Sequence, residues 1–347
     1  MSAMLEKYCW YNTLKGKRDI GNRSALLTRY GVLSIFYYGF TSSRSNFRMH
    51  NIENGEVLWE QDIEGTVTVV EELENGSLLV PLMQGNAIIL SSSGDIISEC
   101  RVAKSNIWAI MPCSITDGIV NEIHGGGAGI ERINIQSGEV QWRLEVSASC
   151  KAPVLLLSNY YFVTSERSEY SDFDAPYLHK VHNVDIQTGH LLWQEAIDCY
   201  PLSLLIYDDL LLVGSRGKVI VMERSTGLVK QNLAIPNDTN GIYSMVANEQ
   251  ALYTCSEDGV ICKFGFNTQY KLEQSVTVAE GVKRIELHGE LLYTQSSTGN
   301  VLELDANTLM IRREFKVKKI KTDAVSFTVT DKWVFASVKN TVFTFTL

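Results

Sequence analysis

The sequence predicts an all-β fold, and three observations carry that prediction: a recurring turn motif, apolar alternation on both sides of it, and a near-constant spacing between copies. The fullest copy is Asp185-Ile-Gln-Thr-Gly-His-Leu-Leu-Trp193, the pattern D-x-x-T-G-x-x-x-W. Its spacing returns at Asn51, Asn54, Gly55 and Trp59, and at Asn134, Ser137, Gly138 and Trp142. It returns again at Glu223, Thr226 and Gly227, where Gln231 stands in the Trp position. Later copies erode to Thr268-Gln269 and Asp305-Ala-Asn-Thr308-Leu309.

Each copy reads as strand, tight turn, strand. An Asn, Asp, Ser or Thr side chain folds onto the local backbone, and Gly supplies the positive φ that the turn requires. Ile220 and Met222 alternate before one copy, and Leu191 and Trp193 follow another. This period of two marks hairpins rather than helices.

The turn position falls at 55, 94, 138, 189, 227, 269 and 309, at intervals of 39, 44, 51, 38, 42 and 40 residues. Repeats of this length with four short strands each are β-propeller blades. In one unit, Leu202 to Tyr207, Leu210 to Gly214, Lys218 to Glu223 and Leu228 to Ala234 read as strands A, B, C and D.

The ends of the chain set the blade count. The chain stops at Leu347 just as a C strand, Thr341 to Leu347, finishes, so the last blade lacks its outer strand. At the other end, Trp10, Leu14 and Gly16 repeat the register of Trp59, Ile63 and Gly65. The expectation is one propeller domain over 1–347 with eight four-stranded antiparallel blades, the N-terminal strand completing the last. The blades fall at about 22–65, 66–103, 104–148, 149–199, 200–236, 237–279, 280–319, and 320–347 with 6–14. Such closure removes the sheet edge that would otherwise template aggregation.

Composition narrows the function classes. The net charge of −9 argues against a phosphate-backbone binder and toward a basic partner. The first ten residues lack the charged-then-apolar layout of a secretory signal, and no run of eighteen apolar residues occurs, so the expected location is the cytoplasm, with no membrane contact. Seven cysteines at 9, 100, 113, 150, 199, 255 and 262 show no paired spacing, and reduced buried thiols are expected.

At its D-x-x-T-G-x-x-x-W copies the sequence resembles the quinoprotein-like (PQQ-like) propeller repeat over nearly the whole chain. The resemblance implies that the outer-strand tryptophans, here Trp10, Trp59, Trp142 and Trp193, pack between neighbouring blades. Ser98, Gln231, Glu273 and Arg313 occupy the other outer-strand sites, so half that girdle is missing. Enzymes of the family bind pyrroloquinoline quinone with a metal and commonly carry a vicinal Cys-Cys pair, and another member is a lipoprotein scaffold for outer-membrane assembly. With no adjacent cysteines and no long inserted substrate loops, the expectation here is a cofactorless, metal-free member.

Three B–C loops are longer than the rest: 39–45, 124–129 and 165–178, in blades one, three and four. Long loops on a rigid scaffold are where recognition is usually placed. In the third, Glu166, Glu169, Asp172 and Asp174 interleave with Tyr170, Phe173 and Tyr177, an acidic strip carrying aromatic anchors. With Arg44 and His124 from the other two loops, these residues form the expected partner-binding set.

Other motifs carry less. His124-Gly-Gly-Gly resembles an esterase oxyanion loop, but no G-x-S-x-G elbow accompanies it. His179 and His182 are three apart on a strand and face opposite ways, so they do not form a metal pair. Arg312, Arg313, Lys316, Lys318, Lys319 and Lys321 form a basic run on an outer strand, where charges protect an edge.

The sequence therefore predicts a non-enzymatic, monomeric protein-binding propeller with no catalytic residues. The most specific form of that expectation is an immunity-type protein that neutralises a cognate basic toxin through the long-loop face. Two alternatives stand beside it: a glycan hydrolase or lyase with carboxylates converging in the central funnel, and a scaffold subunit of a larger assembly.

Overall fold

The structure, a computed structural model, describes residues 4–6, 10–13, 20–38, 44–104, 106–123, 128–146, 150–156, 158–167, 177–236, 240–278, 284–295, 300–316, 325–338 and 341–347. It is an eight-bladed β-propeller of four-stranded antiparallel blades. The strands of blade one are Ile20–Thr28, Gly31–Tyr38, Arg44–His50 and Val57–Glu64, and those of blade four are Cys150–Leu156, Asn159–Arg167, Tyr177–Asp185 and Leu191–Ile197. Blade seven holds Ile285–His288, Leu291–Gln295, Val301–Asp305 and Ile311–Phe315. Blade eight holds Val325–Val329, Trp333–Val338 and Thr341–Thr346, completed by Trp10–Thr13.

Burial follows strand position. Second strands are buried along most of their length, as in Leu78–Leu82 and Ala251–Ser256. Fourth strands are mostly exposed, as in Val229–Ala234, and in Val140–Val146 exposed and half-buried residues alternate. The expected turn chemistry lies between the third and fourth strands. Asp185 Oδ1 accepts the amides of Gln187 (2.9 Å) and Thr188 (2.8 Å) and the Thr188 hydroxyl (2.9 Å). The Gly189 amide, at φ +72°, returns to the Asp185 carbonyl at 2.8 Å. Asn51, Asn134 and Asp305 repeat the arrangement.

By packing, the chain divides into two compact units, one of residues 1–63, 214–221 and 231–347 and the other of 64–213 and 222–230. Within the first, the N-terminal strand closes blade eight antiparallel, with Trp10 opposite Thr344 and Thr13 opposite Thr341. Val32 and Phe36 of blade one pack on Phe335 and Val342 of blade eight, and Phe315 of blade seven meets Phe345 with ring centroids 5.4 Å apart. The closing segment differs from the expected continuous strand over about 6–14. Met4–Glu6 leaves blade eight and runs parallel to Ile311–Phe315 as a fifth strand of blade seven.

Within the second unit, Ile119 and Ile130 of blade three pack on Tyr160, Phe162 and Val184 of blade four. The Tyr160 hydroxyl donates to Asn121 Oδ1 at 2.8 Å. The tryptophan girdle is explicit here. Trp142 Nε1 donates to the Ile186 carbonyl at 2.8 Å, and Trp193 Nε1 to the Arg224 carbonyl at 3.1 Å. In both cases the acceptor lies three residues before the turn glycine of the next blade.

Candidate functional site

The second and third strands of blade four run nine residues each, whereas those of blades two, five, six and seven run five or six. Their register is unbroken from Asn159 opposite Asp185 to Arg167 opposite Tyr177. A ladder this long extends the hairpin of blade four by three or four residue pairs beyond those of the other blades named.

At the end of that hairpin, Tyr177 is 47% exposed and Leu178 is 50% exposed, pointing to opposite faces because successive strand residues alternate. Tyr177 stacks on His179, two residues along and therefore on the same face, at 6.1 Å and 7°. His179 in turn meets Tyr200 edge-on at 5.4 Å, and its Nδ1 lies 2.9 Å from Ser165 Oγ. The three rings form a ladder from the exposed end of the hairpin down to the blade. Rings in such contact are worth about 0.5–1.5 kcal/mol per pair beyond burial. Tyr177 is thus an aromatic group held in place before any partner arrives.

His182, three residues beyond and on the opposite face, is buried. It stacks on Phe162 at 4.6 Å and 5° with Nε2 2.8 Å from Thr164 Oγ1, and burial holds its pKa down at about 4. The two histidines do face apart, as their spacing requires.

The other expected site residues divide clearly. Arg44 lies on the third strand of blade one, half-exposed, with its guanidinium paired to Asp62 of the same blade. Glu166 is a strand residue opposite Leu178. His124, Glu169, Tyr170, Asp172, Phe173 and Asp174 lie outside the described residues. His179 and Tyr200 were not in the expected set. The alternation of Tyr177 with His179 could have signalled the first, but nothing local points to Tyr200, which comes from the next blade.

Two further places stand out, both in the first unit. A groove of about 430 Å³ opens between blades five and six, lined by Gln231, Leu233, Ile235, Phe264, Tyr270 and Leu272. It lies where Gln231 replaces the outer-strand tryptophan, and the Gln231 amide reaches the Gln269 carbonyl at 3.5 Å. On the first strand of blade seven, Glu286 sits between Arg284 (2.6 Å) and His288 (3.7 Å) and accepts the Val329 amide at 3.0 Å. Burial pushes the Glu286 carboxyl above its ordinary value, and its amide acceptor role ties blade seven to blade eight.

With this geometry in hand, comparison with known proteins decides the family. The family model described as outer membrane protein assembly factor BamB matches residues 40–313. The chain belongs to the BamB family of PQQ-like propellers. Among solved structures, BamB from Moraxella catarrhalis is 15% identical with a TM-score of 0.66, the match covering 99% of this chain and 100% of that one. Sqt1 from Saccharomyces cerevisiae is 12% identical with a TM-score of 0.76, over 99% and 100%. Sqt1 from Chaetomium thermophilum, solved bound to the N-terminus of ribosomal protein L10, is 15% identical with a TM-score of 0.75, also over 99% and 100%. At these identities the likeness is one of fold. No curated protein matches the sequence.

No two cysteines are adjacent, and among the described residues no group of three His, Cys, Asp or Glu is placed to hold a metal ion.

Proposed function

We propose that this BamB-family propeller is a protein-binding module whose partner docks on the projecting hairpin of blade four. The observation that carries the reading is the Tyr177–His179–Tyr200 ladder, which presents a preordered aromatic next in sequence to the acidic and aromatic residues of 168–176. A tyrosine already stacked loses little further freedom on binding, which is the property of interface anchors. The fold supports the reading too, since Chaetomium thermophilum Sqt1 was solved with a ribosomal-protein N-terminus bound.

In its finer form, the proposal is that a cytoplasmic monomer neutralises a basic toxin by covering the toxin's active site. The net charge of −9 and the four carboxylates of residues 166–174 would steer a basic partner, and the aromatics would then slow its release. The test is alanine at Tyr170, Phe173 and Tyr177 together, with partner capture from the native source measured beside the melting curve. Capture should be lost with the melting curve unchanged, and capture by the parent should weaken as salt rises. Undiminished capture removes the hairpin from the account. Co-expression with the captured protein separates the finer form: protection of the host supports toxin neutralisation, and unprotected growth contradicts it.

A further inference from the structure

The short strand Met4–Glu6 stands outside the four-strand pattern of the blades. Blade seven already has its four strands, and among the described residues the other seven sheets stop at four. Yet Met4, Leu5 and Glu6 pair in parallel with Arg313, Glu314 and Phe315. An outer strand carries a row of backbone donors and acceptors that will pair with any extended chain, and proteins usually blunt it with charge, short length or cover. Here the edge of blade seven is covered by three residues of the chain itself.

Three features make this cover exchangeable. The pairing is only three residues long. It is parallel, the slightly weaker arrangement per residue. The blade-closing strand Trp10–Thr13 is a separate element held by its own antiparallel ladder, so Met4–Glu6 can leave without opening blade eight. The edge also has a chemical character. Residues 311–316 contain Arg312, Arg313 and Lys316 against a single acidic residue, Glu314. Arg312 and Arg313 are paired to Asp305 and Glu303 of their own blade, whereas Lys316 is exposed at the end of the strand.

We propose that the outer edge of blade seven is a strand-capture site for an extended peptide that runs parallel to Ile311–Phe315 and carries a carboxylate beside Lys316, and that Met4–Glu6 is its displaceable occupant. Backbone pairing supplies the affinity of such a site, and the positive charge of Lys316 favours a carboxylate on the ligand. An internal strand bound nine-tenths of the time weakens an incoming peptide about tenfold.

The test uses a labelled peptide of residues 1–8 and two proteins, the full chain and a form lacking residues 1–8 that keeps Trp10–Thr13. The shortened protein should bind the peptide saturably and about tenfold more tightly than the full chain does. Glu6→Lys in the peptide should weaken capture, and Leu5→Pro should abolish it because proline cannot serve the ladder. The full chain carrying Leu5→Pro should gain capture in the same way, which covers the case in which the shortened form fails to fold. Equal binding to parent and shortened protein, no gain in either altered protein, or retained binding of the proline peptide would each overturn the proposal.

Discussion

At the scale of single residues, the repeat motif couples two blades through one glycine and one indole. A Cβ on Gly227 would lie 2.7 Å from the Trp193 ring, and on Gly189 2.6 Å from the Trp142 ring, so the turn is glycine partly because the preceding blade's tryptophan occupies the space. Downstream of Gln231 the turn position is Gln269, at φ +57°, and at the next turn it is Leu309, at φ +52°, buried in the core between blades six and seven. Gly227→Ala should cost about 2 kcal/mol from strain and clash, and Trp193→Ala about 2 kcal/mol from lost burial. Together they should cost about 1 kcal/mol less than their sum, since removing the indole relieves the clash. Additive losses in chemical denaturation would refute this coupling.

Two buried histidines set the acid limit of the fold. Burial holds His50 at about 4, with Nε2 2.8 Å from Ser34 Oγ, and holds His182 at about 4 as well. Both are depressed below the unfolded value near 6.5. Stability is therefore intact above about pH 6.5 and falls as pH drops toward 4, because only the unfolded chain takes up these protons, at up to about 3 kcal/mol per histidine. Melting measured across that range should show the fall, and His182→Gln should flatten it. An unchanged slope in the variant would assign the acid transition to other groups.

At the scale of elements, the turns and hairpins were legible because their determinants are local. Asp185, Thr188 and Gly189 hold one another within five residues, and the structure reproduces those bonds. The strand Met4–Glu6 was not legible as a blade-seven element, because a parallel partner some 300 residues away leaves no spacing in the sequence. Tyr200 escaped for the same reason, since it joins His179 from a different blade. The groove at Gln231 was foreshadowed by the missing tryptophan, but its lining from Phe264, Tyr270 and Leu272 was not. Restoring the indole with Gln231→Trp should fill that space and raise stability by about 1 kcal/mol, read as a shifted denaturation midpoint at constant m. A lowered midpoint would mean that the turn at Gln269 blocks the ring.

For the molecule as a whole, the strand Trp10–Thr13 decides whether blade eight is closed. Matching Trp10-x-x-x-Leu14-x-Gly16 to Trp59-x-x-x-Ile63-x-Gly65 was enough to read the closure, because a repeat protein reuses one register. What a single sequence does not carry is the occupant of the hairpin, since recognition depends on a surface that belongs partly to another molecule. Closure also separates the two roles of the N-terminus: Trp10–Thr13 seals blade eight, while Met4–Glu6 only covers blade seven. The most direct measurement is therefore the melting temperature of the chain lacking residues 1–14 beside that of the full chain. Loss of the sealing strand should lower it by at least about 5 °C and expose the Thr341–Thr346 edge to association. A shortened protein that melts with the full chain and stays monomeric would contradict the closure on which the whole account stands.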